Sequence, residues 1–182
     1  LLSARFNNAV LVDADLSGAN LRNADLRNAI LQDTNLSDTI LTRANLSNAD
    51  LTGANLSGAD LTLALLIGTD LSNADLTETN FYYVDLTNAI LPEVGLTGKN
   101  FTYTRFNNVD LSGKDLSLSD FSHAKLDGTK MKNANLDGTL FVDVDFTKIK
   151  NKSLAGANLH ATSFAHSNLS GVSLDGATLS GD

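Results

Sequence analysis

Acidic side chains recur along the whole chain, and paired carboxylates are a common means of general acid–base catalysis. Aspartate or asparagine stands immediately before most of the regularly spaced leucines, as in Asp15-Leu16 and Asn55-Leu56. Because the two residue types interchange freely at this place, the position does not require an ionisable group. Both are good turn formers, so the pattern predicts a role in backbone turns and not in catalysis.

Other residues that could do chemistry are missing or scattered. The chain has no cysteine, which excludes disulfide bonds, thiolate metal ligands and cysteine nucleophiles. Its three histidines, His123, His160 and His166, lack the spacing of a metal site. No Gly-rich phosphate loop or nucleophile elbow occurs. The sequence therefore predicts that the protein is not an enzyme, and it assigns no cofactor and no catalytic, cofactor-binding or metal-binding residue.

The elements that position these side chains follow from a period of five residues. From Leu1 to Phe146 every fifth residue is Leu, Phe or Met, and after a shift of three residues the series resumes from Leu154 to Leu179. The residue two before each of these is mostly Ala or another small residue. A period of five fits neither a helix nor a regular strand, so the backbone must turn once per repeat. The repeats are expected to form a solenoid whose large and small residues pack inward.

This pattern resembles the pentapeptide repeat family, in segments such as Ala14-Asp15-Leu16-Ser17-Gly18 and Ala54-Asn55-Leu56-Ser57-Gly58. The resemblance covers essentially the whole chain. It implies an all-β fold, a right-handed quadrilateral β-helix with four repeats in each coil. The 36 repeats then predict about nine coils in a single domain, residues 1–182.

Charge and termini restrict the partners and the location. The formal charge is −8, and residues 1–91 contain eleven acidic but only four basic residues. An acidic protein repels phosphate, so direct binding of nucleic acid is not expected. No apolar run is long enough to span a bilayer. The missing initiator Met and signal pattern indicate a fragment of a longer protein, and a soluble, cytoplasmic location is favoured.

Function in a solenoid is expected where the sequence departs from what the fold requires. Aligning positions 20 residues apart places several large or charged side chains in neighbouring outward columns. This candidate interaction surface consists of Leu63, Leu65, Tyr82, Tyr83, Tyr103, Arg105, His123 and Lys125. Exposed Tyr and Arg are enriched at interface hot spots, but stacking along a β ladder also stabilises neighbours. The sequence leaves a contact role and a stabilising role as alternatives.

Two further departures occur downstream. Lys99 and Lys114 stand at the inward small position, and because a buried lysine is costly, both are expected to bend outward at a distorted wall near Pro92 and Gly95. The phase shift near residues 147–153 predicts a short surface loop carrying Lys148, Lys150 and Lys152. A filled four-sided rod is otherwise expected to offer flat faces and no pocket.

The leading interpretation is a non-catalytic scaffold for protein–protein interaction, with an unidentified protein as its partner. The family resemblance raises an alternative, a mimic of duplex DNA that modulates the type II topoisomerase gyrase. The acidic first half and the rod shape are compatible with mimicry, but the acidic residues spread over all faces and no dimer-forming extension follows Leu179. A second alternative is a structural rod or spacer domain of a larger bacterial protein.

Overall fold

Single-residue parallel β-bridges, placed every five residues, organise the chain. The computed structural model describes residues 1–179, and within them the bridges that do not span the phase shift join positions 20 residues apart, as in Arg5 to Asp25 and Asp25 to Asn45. Four bridges therefore complete one coil. The fold is a right-handed quadrilateral β-helix, as the sequence predicts, whereas the number of about nine coils stays a prediction.

Each repeat is a β-turn followed by one bridging residue. At a representative corner, the Ala54 N–H donates to the Leu51 carbonyl over 3.0 Å. Gly53, the third residue of this turn, has a φ of +71°. A positive φ at the third residue alone is the mark of a type II turn, which explains why Gly and Asn are common two residues after each leucine. The Leu56 N–H then donates to the Asp75 carbonyl of the next coil over 2.8 Å.

The Asp or Asn before each leucine fixes the following turn through its side chain. Asp75 Oδ1 accepts hydrogen bonds from the Thr77 N–H and hydroxyl, at 2.9 and 2.7 Å. Asn55 Oδ1 accepts the Ser57 N–H at 2.9 Å in the same way. Because only one acceptor oxygen is needed, the neutral and the charged residue are equivalent there, and the carboxylates act as turn formers.

These hydrogen bonds make the stability of the fold depend on pH. Hydrogen bonds from Thr77 lower the pKa of Asp75, and the Arg27 side chain lowers the pKa of Asp25 to about 2. A carboxyl group whose pKa is lower in the folded state stabilises the fold above its ordinary pKa and loses this contribution as pH falls through the folded value. We expect the urea midpoint to be flat near neutrality and to fall between about pH 4 and pH 2.

Equilibrium urea unfolding at a series of pH values measures this dependence. Asp75→Asn provides the matched control, since asparagine keeps the acceptor oxygen and cannot titrate. This variant should unfold like the wild type at pH 7 and show a shallower fall in acid. An equally steep fall in the variant would contradict a contribution from Asp75.

The core is a column of the five-residue series together with the small residues that precede it. Leu56, Leu76 and Ala54 are fully or almost fully buried, whereas Ser57 and Thr77 retain contact with solvent. Most inward threonines donate their hydroxyls to a backbone carbonyl of the preceding coil, as Thr79 does to Leu56 over 2.8 Å. The prediction that the whole series is buried is wrong at the ends, because within residues 1–179 no further coil covers them. The exposed members are Leu1, Leu174 and Leu179.

The wall is interrupted near Pro92. Within residues 1–179, the bridges that the pattern would place at 75–95, 80–100, 90–110 and 95–115 are not formed. Val94, which occupies an inward position in the repeat, is turned out and is 77% exposed. Lys114 follows Val94 by one coil and is only 6% exposed, with its Nζ 3.2 Å from the Pro92 carbonyl and 2.8 Å from Glu93 Oε1.

The expectation that Lys114 bends outward is therefore wrong. Its ammonium is buried because the reversed Val94 side chain leaves room and the Pro92 carbonyl accepts a hydrogen bond from it. Lys99 differs from it and stays partly exposed. Partial burial lowers the pKa of Lys99, although Asp75 and Glu78 act in the opposite direction.

The phase shift is taken up by two 3₁₀ turns, Phe146–Lys148 and Lys150–Lys152. Ile149 lies between them at the inward position and is 3% exposed. The second turn is exposed and contains the surplus residues. The bridges that span the insertion join positions 23 residues apart, as in Asn135 to Asn158, and beyond it the spacing of 20 returns, as in Ser153 to Ser173.

No helix within residues 1–179 has the length and apolar character that crossing a membrane would need.

Candidate interaction surface

Three aromatic rings stack along one edge of the rod. The Tyr83 and Tyr103 rings are 4.4 Å apart and nearly parallel, at 6°, and His123 continues the stack 4.5 Å beyond Tyr103 at 14°. Tyr82 packs edge-on against the two tyrosines, with centroid distances of 4.8 and 6.0 Å. At the His123 end of the stack, Asp143 Oδ2 lies 3.5 Å from His123 Nδ1.

The backbone beneath this stack disfavours large side chains. Leu63, Tyr83, Tyr103 and His123 have φ values of +62°, +58°, +60° and +61°. The left-handed conformation costs roughly 1–2 kcal/mol for a residue with a Cβ, and Asn or Gly occupies most equivalent positions at lower cost. The geometry of the turns therefore gives no reason for bulky residues at these positions. Stacking between the rings offsets part of the conformational cost.

A charged column runs beside the aromatic one. Parallel bridges align Leu65, Asp85, Arg105 and Lys125 in successive coils. Arg105 Nη1 is 3.8 Å from Asp85 Oδ2, and the arginine side chain is 62% exposed. Lys125 is exposed and, within the described part of the chain, lies near no carboxylate at ion-pair distance.

The two columns enclose a shallow cleft of about 400 Å³. Its lining residues are Leu63, Leu65, Tyr83, Asp85, Tyr103, Arg105, His123 and Lys125. The structure thus brings seven of the eight residues of the candidate interaction surface together and places Tyr82 at the edge, against the tyrosine rings. Asp85 falls in the same 20-residue alignment as Arg105 and Lys125 but is not among the predicted site residues. Asp143 is missed, although it follows His123 by 20 residues.

Crowding by the neighbouring rings changes the chemistry of the stack. The partial removal of water from its phenol raises the pKa of Tyr83, and Tyr103 and Tyr82 add to this effect. Tyr83 therefore stays a neutral hydrogen-bond donor at physiological pH. The surface combines apolar ring faces, hydroxyl donors and two cations, which suits binding.

The expectation of flat faces without a pocket is wrong both at the candidate interaction surface and at two other places. The interruption near Pro92 opens a cleft of about 420 Å³ bordered by Glu93, Asp110 and Lys114. A smaller pocket of about 230 Å³ lies beside the second 3₁₀ turn. Within residues 1–179, no group of three or more His, Cys, Asp or Glu side chains converges in the manner of a metal site.

The three lysines of the predicted loop lie in different surroundings. Lys148 Nζ is 3.9 Å from Asp127 Oδ1, Lys150 borders the 230 Å³ pocket, and Lys152 is exposed at the end of the second turn. They do not form one patch.

Comparison with known proteins agrees with the repeat. The family model for pentapeptide repeats matches eight copies, over residues 1–38, 29–66, 54–92, 100–138 and 153–181. The chain belongs to the pentapeptide repeat family. The ranges matched in this pentapeptide repeat protein leave out residues 93–99 and 139–152, which contain the interrupted wall and the insertion.

Solved structures of other pentapeptide repeat proteins are similar over nearly the whole chain. HetL, from the cyanobacterium Nostoc sp. strain PCC 7120, is described as involved in heterocyst differentiation regulation. It is 28% identical, with a TM-score of 0.50 over 97% of this chain and 87% of HetL. Full-length QnrB1, a plasmid-mediated fluoroquinolone resistance protein, is 17% identical, with a TM-score of 0.74 over 99% of this chain and 91% of QnrB1.

At this identity, the likeness to QnrB1 concerns the fold alone. No curated protein sequence matches this pentapeptide repeat protein significantly. Pentapeptide repeat proteins are generally non-catalytic structural and interaction proteins.

Proposed function

We propose that this pentapeptide repeat protein is a non-catalytic scaffold that binds a protein partner through the candidate interaction surface. The observation that carries the proposal is the stack of Tyr83, Tyr103 and His123 at positions where the backbone favours Asn or Gly. These aromatic side chains are retained although the positive φ is unfavourable for them, and one side of the stack is open to solvent. Exposed aromatic residues of this kind are typical of contact sites.

The chemistry of the surface indicates what the partner presents. Arg105 and Lys125 are exposed cations on a protein with a net charge of −8, so this edge attracts carboxylates that most of the rod repels. Leu63 and Leu65 provide an apolar end to the cleft. The partner segment is extended, runs along the rod, and carries acidic residues together with an aromatic or aliphatic side chain.

A peptide library displayed on phage and selected on the immobilised protein tests this chemistry. We expect selected peptides to combine acidic residues with an aromatic or aliphatic residue. In fluorescence anisotropy, the variant Tyr83→Asn with Tyr103→Asn should bind these peptides at least tenfold more weakly. Its melting temperature should change little, because asparagine accepts the positive φ that tyrosine adopts there.

Leu118→Asn is the matched control. Leu118 occupies the same repeat position, has a φ of +60° and is 70% exposed, but it lies outside the cleft. Peptide binding should survive this change. Equal binding by the tyrosine variant and the wild type, with a clearly lowered melting temperature, would make the stack a stabilising device and favour the structural rod.

A DNA-mimicking modulator of gyrase is the second candidate. The excess of acidic residues in 1–91, on a rod, supports it. A gyrase supercoiling assay with and without the protein distinguishes the DNA mimic from the protein-binding scaffold. Altered supercoiling that persists in the tyrosine variant and is lost when acidic residues of 1–91 are neutralised would favour mimicry over the scaffold.

A further inference from the structure

Three lysines from two successive coils surround the pocket of about 230 Å³ beside the insertion. This lysine pocket is lined by Ser112, Lys130, Met131, Lys132, Lys150, Asn151 and Ser153. Every lining side chain except Met131 carries a hydrogen-bond donor, and none is acidic. Such a lining is unusual on a protein with a net charge of −8.

The insertion also removes an acceptor from the backbone at this place. In a regular coil the leucine-position N–H donates to the carbonyl 19 residues later, as Leu111 does to Lys130 over 2.8 Å. Met131 should donate to Lys150 by the same rule. The Lys150 N–H keeps its regular bond to the Thr129 carbonyl, but the chain then enters the 3₁₀ turn, and within residues 1–179 no backbone acceptor receives the Met131 N–H.

The cations of the lysine pocket are only partly compensated. Lys130 Nζ is 2.7 Å from Asp110 Oδ2, and although partial burial opposes the effect, this contact lowers the pKa of Asp110. In the described part of the chain, no carboxylate lies within ion-pair distance of Lys132 or Lys150. Two ammonium groups and one backbone N–H are therefore left without an anionic or acceptor partner beside one small cavity.

We propose that the lysine pocket binds a phosphate-class oxyanion, either inorganic phosphate or the phosphoryl group of a phosphate monoester. A dianion matches the two uncompensated ammonium groups, and its oxygens accept hydrogen bonds from lysine, serine and backbone donors. The volume of about 230 Å³ is large enough to admit one phosphoryl group. A carboxylate would compensate only one of the two charges.

Titration with inorganic phosphate, followed by amide NMR shifts at constant ionic strength set with sodium chloride, tests the site. We expect saturable shifts for Met131 and Lys132. The variant Lys132→Gln with Lys150→Gln should bind at least tenfold more weakly. The control, Lys148→Gln with Lys152→Gln, removes the same number of charges, both from the insertion and outside the pocket, and should bind within about twofold of wild type.

Equal weakening in both double variants would show general charge attraction and overturn the site, as would shifts that do not saturate. A phosphoserine peptide and its unphosphorylated form distinguish the two sources. Tighter binding of the phosphopeptide than of inorganic phosphate assigns the site to a monoester on a partner. Tighter binding of inorganic phosphate assigns it to the free ion.

Discussion

Replacing Phe121 by alanine is expected to reduce the free energy of unfolding by about 3–5 kcal/mol. Phe121 is fully buried, and its ring lies 4.9 Å from Phe101 and 5.2 Å from Phe141 in the adjoining coils. Alanine would leave a cavity between two rigid turns, which cannot collapse to fill it. Chemical denaturation followed by circular dichroism measures the loss.

Phe6→Ala is the control for this experiment. Phe6 belongs to the same five-residue series but is only half-buried, near the end of the column where fewer coils cover it. Its truncation should cost clearly less. Losses of equal size would mean that coils along the rod do not contribute to a shared core.

Replacing Ala54 by leucine is expected to destabilise the protein by about 1–3 kcal/mol through overpacking. Ala54 is completely buried beside the leucine column, and its N–H and C=O are both engaged in the turn and the ladder. The larger side chain can be accommodated only by displacing backbone that is hydrogen-bonded on both sides. The shift of the urea midpoint measures the cost.

Ala165→Leu serves for comparison, since Ala165 is exposed. It should change stability by less than about 0.5 kcal/mol. An unchanged midpoint in Ala54→Leu would contradict the assignment of the small residue to the interior.

The regular part of the fold is predictable because its rule is local. Every repeat encodes its own corner through a turn residue such as Gly53, an acceptor such as Asn55 and an inward residue such as Leu56, so the sequence period reports the backbone directly. The columns of the candidate interaction surface follow from the same 20-residue spacing. Its binding role stays a prediction.

The exceptions were not predictable because they depend on two coils at once. The inward course of Lys114 requires Val94, one coil earlier, to turn outward and the Pro92 carbonyl to face the ammonium. The lysine pocket likewise requires the insertion to lie beside Lys130 and Lys132. A prediction made from each repeat separately does not include contacts between residues of two different coils.

The four-sided coil has a geometric consequence for anything attached to the rod. Since five residues make one side, adding a single repeat turns the direction in which the chain leaves by a quarter of a revolution. Adding four restores the direction and lengthens the rod by about 4.8 Å. The surplus residues of the Lys150–Lys152 turn do neither, because they are absorbed at a corner. The rod can thus be lengthened by whole coils without any change in the direction in which the chain leaves it.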